Sequence, residues 1–251
     1  MQLENKVVLL TGAQGGIGGQ LLVELKNAGA EVIAVGRRQQ PGMTQCDLGN
    51  KNEVDTLCND LRRRDIDVII NLAGLMYFGH AHQQTSDHLH TMMTVNLTTP
   101  IQLVQAVLPG MIKRSRGQVV NIGSIFDSLS FPHFSVYSAS KAGLKGFSDG
   151  LRREYQGKGI KVTHISPRAV DTPFNSYIIT ELHQRSKTHT DSSEKVAKII
   201  VKAIIEDKHT VKIGFPERLF TKINTFMPTL IDKALVAKRD LADELLEEYK
   251  S

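Results

Sequence analysis

Short apolar runs alternate with helical patterns along most of the chain. Such runs are typical of strands buried on both faces of a parallel sheet, and the segments between them repeat apolar residues at the three- and four-residue spacing of helices. The predicted strands are VVLL at 7–10, EVIAVG at 31–36, a short MTQC at 43–46, IDVIINL at 66–72, QVVNIGS at 118–124, IKVTHI at 160–165 and TVKI at 210–213. This alternation predicts a single α/β domain with a doubly wound parallel sheet and helices on both faces.

Two segments depart from this alternation. Residues 171–193 show no clear periodicity, which predicts a substrate loop or lid. In residues 216–251 apolar residues recur at helical spacing across a break at Pro228, which predicts a helical C-terminal extension. Packing against the domain, the substrate cleft or a second subunit is favoured for this tail. Peripheral membrane contact is the alternative, because lysines lie among its apolar residues.

Composition narrows the class of protein. The chain has 251 residues, of which 41% are hydrophobic and 23% charged, as in ordinary globular domains. Its two cysteines, Cys46 and Cys58, form no disulfide or metal-binding pattern, which favours a reducing compartment. The first strand begins too close to Met1 for a signal peptide, and no apolar run could span a bilayer, so the cytoplasm is the expected location. The net charge of +5 comes without an aromatic-interleaved basic patch, and no nucleic-acid partner is predicted.

A glycine-rich turn follows the first predicted strand and precedes a helical pattern. The N-terminus of that helix presents unpaired N–H groups and the positive end of its dipole, and glycines remove side chains that would hold a phosphate away. The turn and the helix start contain Gly12, Gln14, Gly15, Gly16, Ile17, Gly18 and Gly19. The predicted ligand is the pyrophosphate of a dinucleotide.

The end of the second strand predicts which dinucleotide binds. This position recognises the adenosine ribose, with an acid for a free 2′-hydroxyl or a base for a 2′-phosphate. Arg37 and Arg38 stand here without a carboxylate, which favours NADPH over NADH; a pair of solvated loop arginines is the alternative. Asp47 and Leu48 are candidates to bracket the adenine, although Asp47 would serve equally well as the cap of a helix from about residue 51.

Tyr137 and Lys141 are four residues apart on a predicted helix and share one face. A nearby ammonium stabilises a tyrosinate, so Tyr137 is a candidate general acid for a carbonyl oxygen that receives hydride. A solvated helix face is the alternative for this pair taken alone.

Four histidines invite a metal hypothesis. They form two H-x-H pairs, His80 with His82 and His88 with His90. Residues two apart on a helix do not share a face, and no cysteine joins them. A surface position is favoured, and no metal site is predicted.

Several motifs together resemble the short-chain dehydrogenase/reductase family. They are the T-G-x-x-x-G-I-G turn at 11–18, the N-x-A-G turn at 71–74, Asn96 in V-N-L, Ser124 after a strand, and Tyr137-x-x-x-Lys141. The resemblance covers roughly residues 6–172. It implies a Rossmann-type fold that binds NADP(H), with NAD(H) as the alternative cofactor, and a homodimer or homotetramer formed through helices that begin near Thr98 and Val136.

The resemblance also implies residue roles. Tyr137 would be the acid/base, Ser124 would orient and polarise the substrate oxygen, Lys141 would hold the nicotinamide ribose and tune Tyr137, and Asn96 would position a proton-relay water. Arg37 matches the basic residue of NADPH-preferring members, whereas their other basic position holds Gln14 and Gly15. The implied cofactor contacts are Gly12, Gln14, Gly16, Ile17, Gly18, Arg37, Arg38, Asp47, Leu48, Asn71, Ala73, Gly74, Tyr137, Lys141, Pro167, Val170 and Thr172.

The family's Pro-Gly turn reads Pro167-Arg168 here. Arg168 is expected either to contact an anionic group of the cofactor or substrate, or to face solvent or pair with a loop acid.

The predicted function is hydride transfer between NADPH and a small-molecule carbonyl or alcohol. A mainly apolar ketone or alcohol is expected, because phenylalanines at 126, 131, 134 and 174 flank the predicted catalytic residues. Core packing is the equal alternative for these four side chains. One alternative is an NADPH-binding sensor or scaffold without turnover. Another is epimerase or dehydratase chemistry on nucleotide sugars, for which the segment after the last predicted strand leaves little room.

Overall fold

A sheet of parallel strands forms the centre of the computed structural model, which describes residues 2–249. The strands are β1 (Val7–Thr11), β2 (Glu31–Gly36), β3 (Thr44–Gln45), β4 (Val68–Asn71), β5 (Gly117–Ile122), β6 (Ile160–Ser166), β7 (Val170–Asp171), β8 (Asp191–Ser192) and β9 (Thr210–Lys212). Within these residues the strand order is β3-β2-β1-β4-β5-β6-β9, and a separate short pair joins β7 to β8. The predicted doubly wound parallel sheet is confirmed.

Helices cover both faces of the sheet. They are α1 (Gly16–Asn27), α2 (Lys51–Leu61), α3 (Ser86–Met93), α4 (Thr99–Lys113), α5 (Ser135–Glu154), α6 (Tyr177–Arg185), α7 (Ser193–Ile205), α8 (Phe215–Phe226) and α9 (Pro228–Glu248). Alternate residues of a strand point to opposite faces, and both faces here carry apolar side chains. Val8 and Leu10 of β1 belong to one core with α1 and α7, whereas Leu9 belongs to the other core with α2 and α4.

The start of α2 separates the two roles considered for Asp47. Asn50 caps the helix, since its side chain accepts hydrogen bonds from the backbone N–H groups of Asn52 and Glu53. Asp47 instead accepts from the N–H of Gly49 at 2.9 Å, within the preceding turn. The capping role proposed for Asp47 is therefore wrong, and its carboxylate lies beside the cavity described below.

The segment 171–193 contains a helix that the sequence pattern did not reveal. Ser176 caps α6 by accepting from the N–H of Ile179. Ile179 and Leu182 are buried against Phe134 and against α9, in a third apolar cluster outside the sheet. A helix this short, with two buried apolar residues three apart, gives too weak a periodicity to recognise in sequence.

The C-terminal segment forms two helices that meet at Met227. Helix α9 packs on α6 and buries Ala242 and Leu245 in the third cluster, whereas α8 exposes several large apolar side chains, with Phe226 83% exposed. None of the helices between residues 2 and 249 combines the length and the apolar composition that a membrane span needs. Peripheral membrane contact through the C-terminal tail and assembly into oligomers stay predictions.

Candidate active site

A cavity of about 650 Å³ lies at the carboxyl edge of the sheet. The strand order reverses at β1 and β4, and at such a point the diverging connections leave a crevice for a ligand. The cavity begins at the ends of β1 and β2 and passes the ends of β4, β5 and β6. It ends beneath α6 and α9.

The glycine turn gives this cavity a wall of bare backbone. Gly12 has φ of +72°, and a Cβ on it would lie 2.8 Å from the backbone of Ala73. A Cβ on Gly18 would lie only 2.0 Å from the carbonyl oxygen of Gly12, and one on Gly16 would lie 2.6 Å from the Thr172 side chain. No side chain caps the N-terminus of α1. These features fit a dinucleotide pyrophosphate, which needs a close backbone approach and free N–H groups.

Thr11 joins the glycine turn to the turn at 71–74. Its hydroxyl oxygen accepts hydrogen bonds from the N–H groups of Leu72, at 3.1 Å, and Ala73, at 3.2 Å. Ala73 and Gly74 line the cavity, but Asn71 is not among the lining residues of the described chain. Its buried side chain donates to Asn121 instead, at 2.8 Å, because Asn71 still belongs to β4 and faces inward. The predicted cofactor contact of Asn71 therefore has no side-chain basis here.

The adenosine end of the cavity is shaped by Gln14. Its side chain accepts from the backbone N–H of Arg38 at 2.9 Å and donates to the carbonyl of the same residue at 2.6 Å. This pair of bonds ties the glycine turn to the end of β2. Arg37 and Arg38 line the cavity with exposed side chains, and neither forms an ion pair with a carboxylate of residues 2–249.

Ser124, Tyr137 and Lys141 meet in the middle of the cavity wall. Tyr137 and Lys141 are one turn apart on α5, and both are buried. The Ser124 side chain is near enough to the Tyr137 hydroxyl to act on its pKa, and Lys141 Nζ lies 5.9 Å from the Tyr137 ring centre. Lys141 also donates to the carbonyl oxygen of Ile122 at 3.0 Å, which fixes its ammonium beside the end of β5. The alternative of a solvated helix face does not describe this pair.

Burial controls the protonation of both groups. Burial raises the pKa of Tyr137 to about 12, with the Asp127 charge adding to the rise and the Ser124 hydrogen bond opposing it. Burial also lowers the pKa of Lys141 to about 8, against the opposing effect of Asp127. Burial thus outweighs the stabilisation of tyrosinate expected from the lysine. At neutral pH the phenol holds its proton and can donate it.

Asn96 lies behind this group on a π-helical turn, Thr94–Thr98, between α3 and α4. Its side chain accepts from the N–H of Leu75 at 2.7 Å and donates to the Leu75 carbonyl at 2.8 Å. A Cβ on Gly74 would lie 3.3 Å from Asn96 Oδ1 and 3.5 Å from Lys141 Nζ. Asn96 is therefore close to Lys141, although it is fully buried and does not line the cavity.

Asp127 is a site residue that the sequence interpretation missed. Its Oδ2 accepts hydrogen bonds from Ser166 Oγ at 2.6 Å and from His164 Nε2 at 2.8 Å, and lies 3.4 Å from the backbone N of Ser124. These hydrogen bonds lower the pKa of Asp127 even though burial opposes them. The available signal was the spacing Ser124-x-x-Asp127, which forms a capping box around a short 3-10 helix.

Arg168 pairs with acids of the chain itself. Its guanidinium donates to both oxygens of Asp191, at 2.8 and 3.1 Å, and lies 3.7 Å from Glu217. Of the two roles considered for this residue, the structure supports pairing with an acid. The pair joins the loop after β6 to the start of β8, and so holds the segment that carries α6 next to the cavity.

Phenylalanines line the far end of the cavity. Phe126 contacts Phe131 and Phe134, with ring centres 4.9 Å apart in each pair, and meets the Tyr137 ring edge-on at 5.9 Å. The cover over this end comes from α6 and α9. By contrast, Phe174 is 45% exposed.

Comparison with known proteins agrees with this architecture. The family profile of the short chain dehydrogenases matches residues 6–182. Dehydrogenase/reductase SDR family member 7B of Danio rerio is 28% identical over 94% of this chain and 86% of its own length. An uncharacterized oxidoreductase of Staphylococcus saprophyticus is 32% identical over 70% of this chain and 82% of its own length.

Solved structures show the same fold. A short chain dehydrogenase from Burkholderia cenocepacia in complex with NADP superposes with a TM-score of 0.80 at 22% identity, over 94% of this chain and 99% of the other. A short-chain dehydrogenase from Streptomyces avermitilis gives a TM-score of 0.78 at 26% identity, over 94% and 98%. With its glycine turn and its buried tyrosine and lysine, this chain belongs to the short chain dehydrogenase family of NAD(P)-binding oxidoreductases.

Proposed function

We propose that this protein is an NADPH-dependent carbonyl reductase, or the reverse alcohol dehydrogenase, for a mainly apolar ketone or alcohol. The observation that carries this proposal is the position of Ser124, Tyr137 and Lys141. They lie in one cavity wall, between the glycine turn and the phenylalanine cluster. A ligand that spans the cavity would therefore have its reacting end beside a protonated phenol.

The bound nicotinamide would supply the hydride, and the chain supplies orientation and the proton. Tyr137 is the proton donor to the carbonyl oxygen, because burial keeps its phenol protonated. Ser124 has a hydroxyl beside that phenol and can hold the same oxygen. The charge of Lys141 favours the tyrosinate that remains after proton transfer, and its pKa of about 8 leaves it mostly charged at neutral pH.

The preference for NADPH rests on Arg37 and Arg38. Both guanidiniums are exposed at the adenosine end of the cavity without a carboxylate partner among residues 2–249. A phosphate dianion suits a guanidinium through charge and fork geometry. Four structural neighbours were solved with NADP, NADP+ or NADPH, among them the Burkholderia enzyme and a dehydrogenase from Sphingobium yanoikuyae, and these complexes favour the same cofactor.

Residues 171–193 would act as a lid over the substrate. This segment carries α6, whose Ile179 and Leu182 line the cavity and pack on Phe134. The Arg168–Asp191 pair and the pairing of β7 with β8 hold its two ends together. Such a cover excludes water from the reacting atoms.

Cofactor preference is tested by fluorescence titration with NADPH and NADH at one salt concentration. The Arg37→Ala variant should bind NADPH about tenfold or more weakly and NADH as before, because a charge-assisted hydrogen bond contributes about 1.5–3 kcal/mol. Arg63→Ala, an exposed arginine after α2, is the matched control and should change neither affinity. Equal affinity of the unaltered protein for both cofactors would refute the preference.

Turnover is tested with a panel of aromatic and medium-chain ketones. Tyr137→Phe should bind NADPH normally and lose about 10²–10⁴ in turnover, the usual contribution of a general acid. Full turnover in this variant would contradict the mechanism. NADPH binding without turnover on any member of the panel would favour the sensor or scaffold, for which a buried acid and its lysine have no physical purpose.

A further inference from the structure

A cluster of His80, His133 and Asp243 lies outside the catalytic group, at the substrate end of the cavity. The three residues are distant in sequence and come from the loop after β4, the loop before α5, and α9. One ligand-type atom from each lies within 4.8 Å of the others. The H-x-H pattern drew attention to His80 with His82, and their rings do stack, with centres 5.5 Å apart. His80 also meets His133, with ring centres 4.9 Å apart, and Asp243, which the pattern did not indicate.

The distances in this cluster suit one metal ion. His133 Nε2 lies 3.1 Å from Asp243 Oδ1, and His80 Nε2 lies 3.6 Å from the same oxygen. In a tetrahedral zinc site with bonds of about 2.0–2.1 Å, neighbouring ligand atoms are about 3.3 Å apart. The two observed separations lie on either side of this value. The third separation, between the ring nitrogens of His80 and His133, can adjust because the His80 side chain is partly exposed.

His133 provides an independent sign that a ligand is required. The residue is only 9% exposed, and its Nε2 has no hydrogen-bond partner among the described residues, although Asp243 Oδ1 is 3.1 Å away. The two atoms are therefore close without the alignment of a hydrogen bond. A buried nitrogen without a partner costs free energy, and a cation placed between the two atoms would remove that cost.

The loops that carry the two histidines are joined through their backbones. The N–H of Gly79, next to His80, donates to the carbonyl oxygen of His133 at 3.0 Å. This bond holds the two histidines near each other before any ion binds.

We propose that His80, His133 and Asp243 form a Zn²⁺ site that attaches α9 to the loops beside the substrate end of the cavity. Imidazole nitrogens bind zinc better than they bind calcium or magnesium, which favour oxygen ligands. A set of two imidazoles and one carboxylate therefore favours zinc. The fourth position faces solvent, since the Asp243 side chain is 41% exposed. Neighbours of the three ligands, Phe134 and Ala242, line the cavity, so the ion would stabilise the cover of the substrate end.

Isothermal titration of EDTA-treated, dialysed protein with Zn²⁺ tests this site. One ion should bind per chain with a dissociation constant in the micromolar range or below, and Zn²⁺ should raise the melting temperature. His133→Gln and Asp243→Asn should each weaken binding at least tenfold. His209→Gln, an exposed histidine elsewhere, is the control and should bind Zn²⁺ like the unaltered protein.

Absorption with Co²⁺ in place of Zn²⁺ adds a geometric readout. Intense visible bands of a tetrahedral ion are expected, and Asp243→Asn should abolish them. Absence of saturable Zn²⁺ binding below about 1 mM, or equal affinity in all the variants, would overturn the proposal. Weak octahedral bands would overturn it as well. Asp243 is partly exposed, so its variant keeps the test valid if His133→Gln fails to fold.

Discussion

Replacing Asp127 by asparagine should weaken the fold and shift the pH dependence of catalysis together. The buried Oδ2 atom accepts from His164 and Ser166, and the neutral amide keeps the shape but loses the charge. Hydrogen bonds to charged groups contribute about 1.5–3 kcal/mol and neutral ones about 0.5–1.5 kcal/mol, so each of these two bonds loses about 1 kcal/mol. A neutral amide costs less to bury, which leaves a net loss of about 1–2 kcal/mol.

Thermal unfolding measures this loss as a decrease in melting temperature of roughly 2–8 °C for a chain of this size. The lowered pKa of Asp127 determines how the stability difference between the two proteins changes with pH. A carboxyl whose pKa is lower in the folded state stabilises the protein above its unfolded pKa, here 3.8, and this stabilisation disappears as the pH falls through the folded value. The difference in melting temperature between the unaltered protein and Asp127→Asn should therefore be largest at pH 7 and decrease below about pH 4.

Catalysis provides the second readout. The charge of Asp127 raises the pKa of both Tyr137 and Lys141, so Asp127→Asn lowers both. The loss of reductase activity at high pH, where Lys141 gives up its proton, should move to lower pH. Asp149→Asn, which breaks partly exposed pairs with Lys145 and Arg152 on α5, is the control and should cost only about 0.3–0.5 kcal/mol for each pair. An unchanged melting temperature together with an unchanged pH profile would refute the reasoning.

Three further substitutions test other parts of the structure. Gly18→Ala puts a methyl carbon 2.0 Å from a backbone carbonyl oxygen and should weaken NADPH binding roughly tenfold or more. The neighbouring Gly19→Ala is the control: its methyl carbon meets nothing closer than 4.0 Å, and NADPH affinity should stay unchanged in the same titration. Arg168→Met leaves the buried carboxylate of Asp191 with only a lysine partner, and chemical denaturation should show a loss of about 3 kcal/mol; a loss below 1 kcal/mol would contradict a structural pair. Leu245→Ala removes a fully buried side chain between α9 and α6 and should cost about 2–5 kcal/mol without changing NADPH affinity, and unchanged stability would show that α9 does not pack there.

Local sequence patterns were enough to predict the fold, the glycine turn and the tyrosine–lysine pair of the site. The apolar run at 7–10, the glycines behind it and the helical pattern that follows are adjacent in sequence, and they indicate a strand, a phosphate-binding turn and a helix without further information. The same holds for Tyr137 and Lys141, because four residues make one helical turn. Local spacing therefore predicted the cofactor end and the catalytic middle of the cavity.

Other features depend on contacts between distant segments. Asn71 was expected at the cofactor, but its position within β4 directs its side chain to Asn121 on the neighbouring strand. From sequence, Arg168 was compatible with an anionic ligand. The structure instead pairs it with Asp191, which lies on β8, 23 residues further along the chain. The segment 171–193 seemed irregular because its helix is short and its apolar residues match partners on α9.

The sequence alone determined the individual strands and helices, the glycine turn, the basic end of β2 and the tyrosine–lysine pair, since each depends on residues within a turn or a strand of one another. The regular alternation of strands and helices then indicated a parallel sheet. Only the tertiary structure decided the depth at which Tyr137 and Lys141 are buried, and hence their pKa values, because burial depends on every element packed around them. It likewise decided that Asp127 meets His164 and that His80 and His133 meet Asp243. Such contacts form when separate loops and helices pack at the same edge of the sheet, and a local sequence pattern does not predict them.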